Sequence, residues 1–255
     1  MKTLSLYIDK DTLIHKVDPI SKLFYILAVI AVPVIIPTMK TALICLAVSI
    51  VLLLLGRVLK KVIPMIGFII LILLSILVIQ GLFKAENETP LFQLGSLTFY
   101  KEGFYYALGI SIRVINIMIA FAILILTTKP SDLIETLVRK GLSPRIGYVL
   151  SSVLQIIPQM QATMGTITDA QRARGMETEG KLIVRLKAFI PLIGPVVMSS
   201  LTNTRERSMA LEVRGFNSKA KKTFLNEENK KPYNKFIQWG LVMLIVLAIV
   251  WRIAV

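Results

Sequence analysis

Long apolar runs alternate with short polar loops over the first half of the chain and return at its end. Leu23–Ile36 and Ala42–Leu55 come first. Both fall short of the ~20 residues usually needed to cross a bilayer. They either borrow flanking residues or form a tight hairpin packed inside protein. Val62–Phe83 and Phe104–Thr127 are full-length runs, the second carrying Arg113. Phe236–Val255 is the last, with Trp239 and Trp251 near its ends, where amphipathic rings anchor a span at the membrane surface. The pattern predicts an all-α integral membrane protein with about five membrane-spanning helices.

Lys129–Lys235 follows a different pattern. It carries 18 of the 30 Lys and Arg residues, yet it does not read as a soluble domain. Ile146, Val149, Val153, Ile156, Ile157 and Met160 mostly recur at steps of three and four, the stripe of an amphipathic helix. Leu186–Leu201 is apolar nearly all round, with Pro191, Gly194 and Pro195 inside it. Two long helices, each ending in Arg-Gly, are expected to cover the cytoplasmic ends of the spans. Pro158, Pro191 and Pro195 are expected to bend or break them, as a fixed kink or as a flex point. Lys219–Lys235 is polar without an apolar period and reads as a loop returning to the membrane, placed to meet anionic lipid. The expected organisation is an N-terminal membrane part over residues 1–128, a cytoplasmic region of long helices over 129–235 and a final span over 236–255.

Composition agrees with this reading. Hydrophobic residues make up 55% of the 255 positions, and the mean hydropathy is +0.72, too apolar for an ordinary soluble domain. The formal net charge of +15 has a plain source, because cytoplasmic flanks of membrane helices collect Lys and Arg. No basic face with interleaved aromatics is visible, so nucleic acid is not an expected partner. Lys2, Lys10, Lys16 and Lys22 precede the first run; Arg57, Lys60 and Lys61 lie between the second and third; Lys129 follows the fourth. The alternate loops hold Lys40 alone, then Lys84 and Lys101 offset by Glu86, Glu88 and Glu102. Five spans put every positive loop on one side, with the N-terminus inside and the C-terminus outside. The N-terminal segment lacks the pattern of a cleaved signal and is expected to stay on the protein. The single cysteine, Cys45, and single histidine, His15, leave little material for a disulfide, a metal cluster or a hydrolytic triad.

One short phrase occurs twice. Ala170-Gln-Arg-Ala-Arg174-Gly175 is answered 40 residues later by Ala210-Leu-Glu-Val-Arg214-Gly215. Ala170 and Arg174 are one helical turn apart, as are Ala210 and Arg214, so each pair shares a face. The small alanine allows close approach of another surface. A glycine after the arginine suits a helix end, where a left-handed backbone is common. An arginine in the last turn complements the helix dipole, and its planar fork can hold a carboxylate by two hydrogen bonds. The plain alternative is that both arginines cap helices and snorkel to lipid phosphate. Two matched copies point instead to two equivalent docking sites, hence to a two-lobed or dimeric partner.

Other residues stand out less. His15, between Asp11 and Asp18, is expected to bond locally at the start of the first span. Arg113 either snorkels outward or pairs within the bundle, charge inside a span being costly and often functional. Met160, Met164, Met176, Met198 and Met209 lie along or just past the long helices, as filler or as a surface for changing partners.

On these residues the chain resembles the transmembrane T component of energy-coupling factor transporters, related to cobalt-transport permease subunits. That family is marked by two Ala-Arg-Gly-like motifs at the ends of long cytoplasmic coupling helices. Ala173-Arg174-Gly175 matches the first, and Val213-Arg214-Gly215 matches the second with valine in place of alanine. The N-terminal segment is similar too: Tyr7, then Leu13-Ile-His15-Lys-Val-Asp18-Pro19, preceded by Thr12 where members carry Ser or Thr. The resemblance implies docking on two ABC-type ATPase subunits through Arg174 and Arg214, with Ala170, Ala173, Gly175, Ala210 and Gly215 shaping the contacts. It implies relay of ATP-driven motion to a separate substrate-binding membrane subunit that takes up a vitamin or metal ion. The chain itself is then no enzyme and binds no cofactor, with ATP and Mg on the partner ATPases. In keeping with this, it carries no G-x-x-x-x-G-K-[ST] phosphate loop. The rival readings are a self-sufficient secondary transporter or channel, a membrane enzyme and an ordinary ABC permease domain. The first would draw on Arg113, Asn116 and Gln80 as midplane polar groups.

Overall fold

The fold is given by a computed structural model that describes residues 6–84, 89–94, 97–176, 182–218, 223–224 and 232–254. They divide into two compact units, Ser5–Thr136 with Glu228–Val255 and, between these segments in sequence, Leu137–Glu227.

The first unit is a bundle of apolar helices. α1 (Pro19–Ile35) begins with proline at its first turn, where the missing N–H costs nothing. α2 (Met39–Leu55) is capped by Thr38, whose hydroxyl accepts from the Thr41 amide at 3.4 Å. Each has 17 residues, about 26 Å of helix, against a hydrocarbon core of about 30 Å. They therefore borrow a few flanking residues and still fall short, forming a hairpin turned at Ile36–Thr38. α3 (Leu59–Phe83), α4 (Lys101–Thr127) and α8 (Pro232–Ala254) are long and apolar enough to cross a membrane. The segment between α3 and α4, read from sequence as a loop, carries a two-stranded antiparallel hairpin, β1 (Pro90–Leu94) and β2 (Leu97–Tyr100), with Gln93 opposite Thr98. The signal for it is two apolar and aromatic runs separated by Gly95-Ser96.

Small residues bring the helices together, as expected where lipid is as apolar as leucine. Ala107 and Ala120 of α4 are fully buried. At the hairpin end, a Cβ on Gly103 would lie 2.1 Å from the Gln80 carbonyl oxygen, and one on Gly81 would strike the Phe99 ring. At the opposite end, Leu53, Val58, Val62, Ile119, Ile123 and Leu126 enclose Ile14 of the N-terminal segment. That segment is bonded in place: the Ile8 amide donates to the Leu126 carbonyl at 3.0 Å, and Lys10 Nζ donates to the Arg57 carbonyl at 2.9 Å. The start of α8 is tied to the same level, with Gln238 Nε2 donating to Asp18 Oδ2 at 3.2 Å and to Ser21 Oγ at 3.1 Å.

These bonds set the order of the bundle. The starts of α1, α3 and α8 and the ends of α2 and α4 lie at one end. Lys10, Lys16, Lys22, Arg57, Lys60, Lys61, Lys129 and Lys235 belong to the segments gathered there, and Lys40, Lys84 and Lys101 to the other end. The alternation read from loop charge is thus the alternation of the fold.

α5 (Pro130–Arg139), which the apolar pattern of the long region did not separate, has its own signals: proline at its start, Asp132 in its first turn and Leu133, Ile134, Leu137 and Val138 at helical steps. The division between units falls within it. The second unit is built on α6 (Pro144–Ala173) and α7 (Leu182–Val213). Ser143 caps α6, its hydroxyl accepting from the Ile146 amide at 3.3 Å. Pro158, Pro191 and Pro195 lie inside these helices without breaking them. The apolar stripe of α6 is left open: Ile146, Val149, Val153 and Ile157 are all exposed. Most of the predicted loop Lys219–Lys235 lies outside the described residues.

Candidate functional site

The two Arg-Gly phrases end the two longest helices. At the end of α6 the Gly175 amide donates to the Arg172 carbonyl at 2.9 Å and the Met176 amide to the Gln171 carbonyl at 3.1 Å. At the end of α7 the Gly215 amide donates to the Glu212 carbonyl at 2.9 Å and the Phe216 amide to the Leu211 carbonyl at 3.0 Å. The two ends thus close with the same pair of bonds, the Schellman arrangement. It requires a left-handed residue after the cap, and Gly175 (φ 87°) and Gly215 (φ 69°) supply it. Arg174 and Arg214 therefore occupy the same position, the cap residue itself.

The capping geometry alone is not specific. α5 ends in the same way, at Lys140-Gly141-Leu142, with Gly141 at φ 121°. What distinguishes the other two ends is the arginine at the cap and the alanine one turn before it. Ala170, Ala173, Arg174, Gly175, Ala210, Arg214 and Gly215 are all exposed. Neither the Arg174 nor the Arg214 guanidinium has a partner among the described residues. Val213, the departure from Ala-Arg-Gly, is 89% exposed, so its extra methyl groups are largely free of contact among the described residues.

The two ends are also far apart. Arg207 donates to Gln159 and the Tyr148 ring lies 5.4 Å from the Phe216 ring, so α6 and α7 run antiparallel. The end of α7 therefore lies beside the start of α6. Arg174 is 26 residues beyond Tyr148, about 39 Å along the helix axis. The two guanidinium groups therefore lie at opposite ends of the α6–α7 pair.

The family described as cobalt transport protein (CbiQ) matches residues 10–224. The chain belongs to the CbiQ family. Among CbiQ-like relatives, it is 31% identical over 227 residues to the energy-coupling factor transporter transmembrane protein EcfT of Streptococcus equi, covering 84% of this chain and 82% of that one. It is 28% identical over 260 residues to the EcfT protein of Lactococcus lactis, covering 96% of both. It is 27% identical over 264 residues to that of Bacillus subtilis, covering 95% of this chain and 94% of the other.

The remaining candidates occupy distinct places in this CbiQ-family chain. His15 bonds locally: Nε2–H donates to the Ile8 carbonyl at 2.9 Å, which leaves Nδ1 to accept from the Thr12 hydroxyl at 2.6 Å. Burial pushes the imidazole pKa below its usual range, only partly offset by the Ile8 bond. Thr12 and His15 thus lock the turn that sends Ile14 into the core. Arg113 is half-buried on α4, and its Nε is buried without a hydrogen-bond partner among the described residues. One turn on, Asn116 is buried and accepts from Ser49 of α2, whose hydroxyl also meets Tyr25 of α1. This polar link through three helices was not foreseen beyond Asn116 as a midplane group. Met160, Met198 and Met209 are exposed.

Proposed function

We propose that the chain is the transmembrane coupling subunit of an energy-coupling-factor importer. In this reading the basic end of the bundle is cytoplasmic, as the positive-inside rule requires. The chain leaves the bundle after α4 and returns at α8, both at that end, so the α6–α7 unit is on the cytoplasmic side. Arg174 and Arg214 each enter a groove on one of two ABC-type ATPase subunits, which hold ATP and Mg. Closure of those subunits is passed along α6 and α7 to a substrate-binding membrane subunit that carries a vitamin or a metal ion. This chain performs no chemistry.

The observation that supports the reading most is the pair of exposed Arg-Gly helix ends that close with the same bonds, about 39 Å apart along α6. A single lipid-facing cap needs no duplication, and a single groove cannot receive both ends. The test is co-expression with the candidate ATPases, then pull-down and ATP-dependent uptake. Arg174→Glu and Arg214→Glu should each weaken the complex, and the pair together should abolish it. Breaking one charge-assisted contact is expected to cost on the order of 2–5 kcal/mol. Intact complex and uptake in the double variant would sink the proposal.

A further inference from the structure

The chain leaves the bundle after α4, and α4 does not close its own end. The last carbonyls of a helix have no amide within it, and Thr128, the cap residue, is extended. The next amide that could serve Leu126 would come from Pro130, which has none. α5, α6 and α7 each close on a glycine at positive φ, whereas no glycine follows α4 before Gly141. Other segments supply the donors instead. The Ile8 amide serves the Leu126 carbonyl. Lys22 of α1 serves Thr127: its ammonium donates to that carbonyl at 2.9 Å and to the Thr128 hydroxyl at 3.0 Å. Lys22 is 5% exposed, so these charged bonds are shielded from water. The carboxylates of Asp18, at the start of α1, and Asp132, in the first turn of α5, both attract its charge. Lys129 in turn lies over the Tyr7 ring, 5.3 Å from its centre.

The return at α8 is fastened to the same turn. Asn234, buried in the first turn of α8, accepts from the Asp18 amide through its side-chain oxygen at 3.4 Å. Its carbonyl accepts from the Ser21 hydroxyl at 3.4 Å. Gln238, one turn on, donates to Asp18 Oδ2 and Ser21 Oγ. Asp18, Ser21 and Lys22 thus lie on a single turn at the start of α1. That turn holds both places at which the bundle is joined to the rest of the chain.

We propose that the first turn of α1 is a fixed mount for both links to the α6–α7 unit, with Lys22 holding the exit and Asp18 and Ser21 the return. The inference rests on the coupling reading above and names the residues that keep the stroke from being lost. Force applied at Arg174 and Arg214 is passed on only if the ends of the moving segment are held; a link that gives way absorbs it. Lys22 and Gln238 are then positioning residues, acting through the links they secure.

Lys22→Met and Gln238→Leu test the two links in the full chain. In detergent, amide hydrogen exchange should rise about tenfold or more at Asp132 and Leu133 for Lys22→Met, and over the start of α8 for Gln238→Leu, with α3 unchanged. In proteoliposomes with the partner ATPases and the substrate subunit, each variant should still assemble and hydrolyse ATP. Uptake per ATP, read with labelled cobalt or vitamin, whichever the wild-type complex carries, should fall several-fold. Gly103→Ala, at the other end of the bundle, is the control for lost stability and should keep the wild-type ratio. Gln238→Leu leaves every charge in place and decides the matter if Lys22→Met does not fold. Unchanged exchange or an unchanged ratio in either folded variant, or a ratio lowered equally by Gly103→Ala, overturns the proposal. A wild-type chain that captures no ATPase sinks the coupling reading instead, and the exchange result still decides whether the turn holds the two links.

Discussion

Arg207 donates to the side-chain oxygen of Gln159 at 2.7 Å, tying α7 to the middle of α6. Thr163, Ser200, Asn203 and Thr204 surround the same crossing, leaving about 20 Å³, room for one water. A polar crossing between otherwise apolar helices fixes where they touch without gluing them along their length. Gln159→Ala and Arg207→Ala, alone and combined, should reveal a coupling of about 0.5–1 kcal/mol, since the pair is solvent-accessible. Unfolding in detergent measures it. A coupling near zero would mean that apolar contact alone holds the crossing.

The helix ends can be tested apart from their arginines. Gly175→Val and Gly215→Val place a β-branched residue at positive φ, at a cost of about 1–2 kcal/mol to the local end. Asparagine at either position should cost less than valine. ATPase binding should fall in the same order although both arginines remain, read by pull-down against a wild-type reference. Arg57 gives the converse case. It holds φ 53° after α2 without being glycine, so Arg57→Gly should raise stability by up to about 1 kcal/mol.

Two glycines of α4 should respond in opposite directions. Gly103→Ala forces a methyl group against the Gln80 backbone and should lower stability by about 1–3 kcal/mol. Gly109 has nothing within 4 Å of its would-be Cβ, and Gly109→Ala should be neutral or stabilising by up to about 1 kcal/mol. Thermal midpoints of the two variants in one detergent decide the comparison.

His15 makes stability depend on pH. Its folded pKa is lowered from 6.5, so the unfolded chain takes up the proton first as pH falls. The contribution is complete above about pH 6.5 and is lost as pH drops through the folded value. The thermal midpoint should fall between about pH 7 and pH 5, and His15→Gln, which can keep both hydrogen bonds, should flatten that fall. The same slope in both proteins would assign the effect elsewhere.

The periodic parts of the fold were legible from sequence. The three long spans needed only apolar length, and the Arg-Gly ends needed only glycine after a helical stripe. The short α1–α2 hairpin was left open between two forms because 17 residues satisfy neither a span nor a soluble helix cleanly. α5 and the β1–β2 hairpin were passed over because charge and loop polarity outweighed their local signals. The prolines left both a bend and a break open, and α6 and α7 continue through them, which rules out only the break. The link from Tyr25 through Ser49 to Asn116 joins residues on three helices and has no linear signature. The 39 Å separation of Arg174 and Arg214 needed the antiparallel pairing of α6 and α7, which no local pattern encodes.

The N-terminal segment imposes an order on biogenesis. Ile8 bonds to Leu126, Lys10 to Arg57, and Asp18 and Ser21 to Gln238. Residues 8–21 therefore leave the ribosome well before Leu126 and Gln238, the partners they bond. They must wait at the membrane surface while α4 is inserted, and the start of α1 waits further for α8. The basic end of the bundle closes only when α8 arrives, so a chain truncated before α8 leaves Asp18 and Ser21 without their bonds to Gln238.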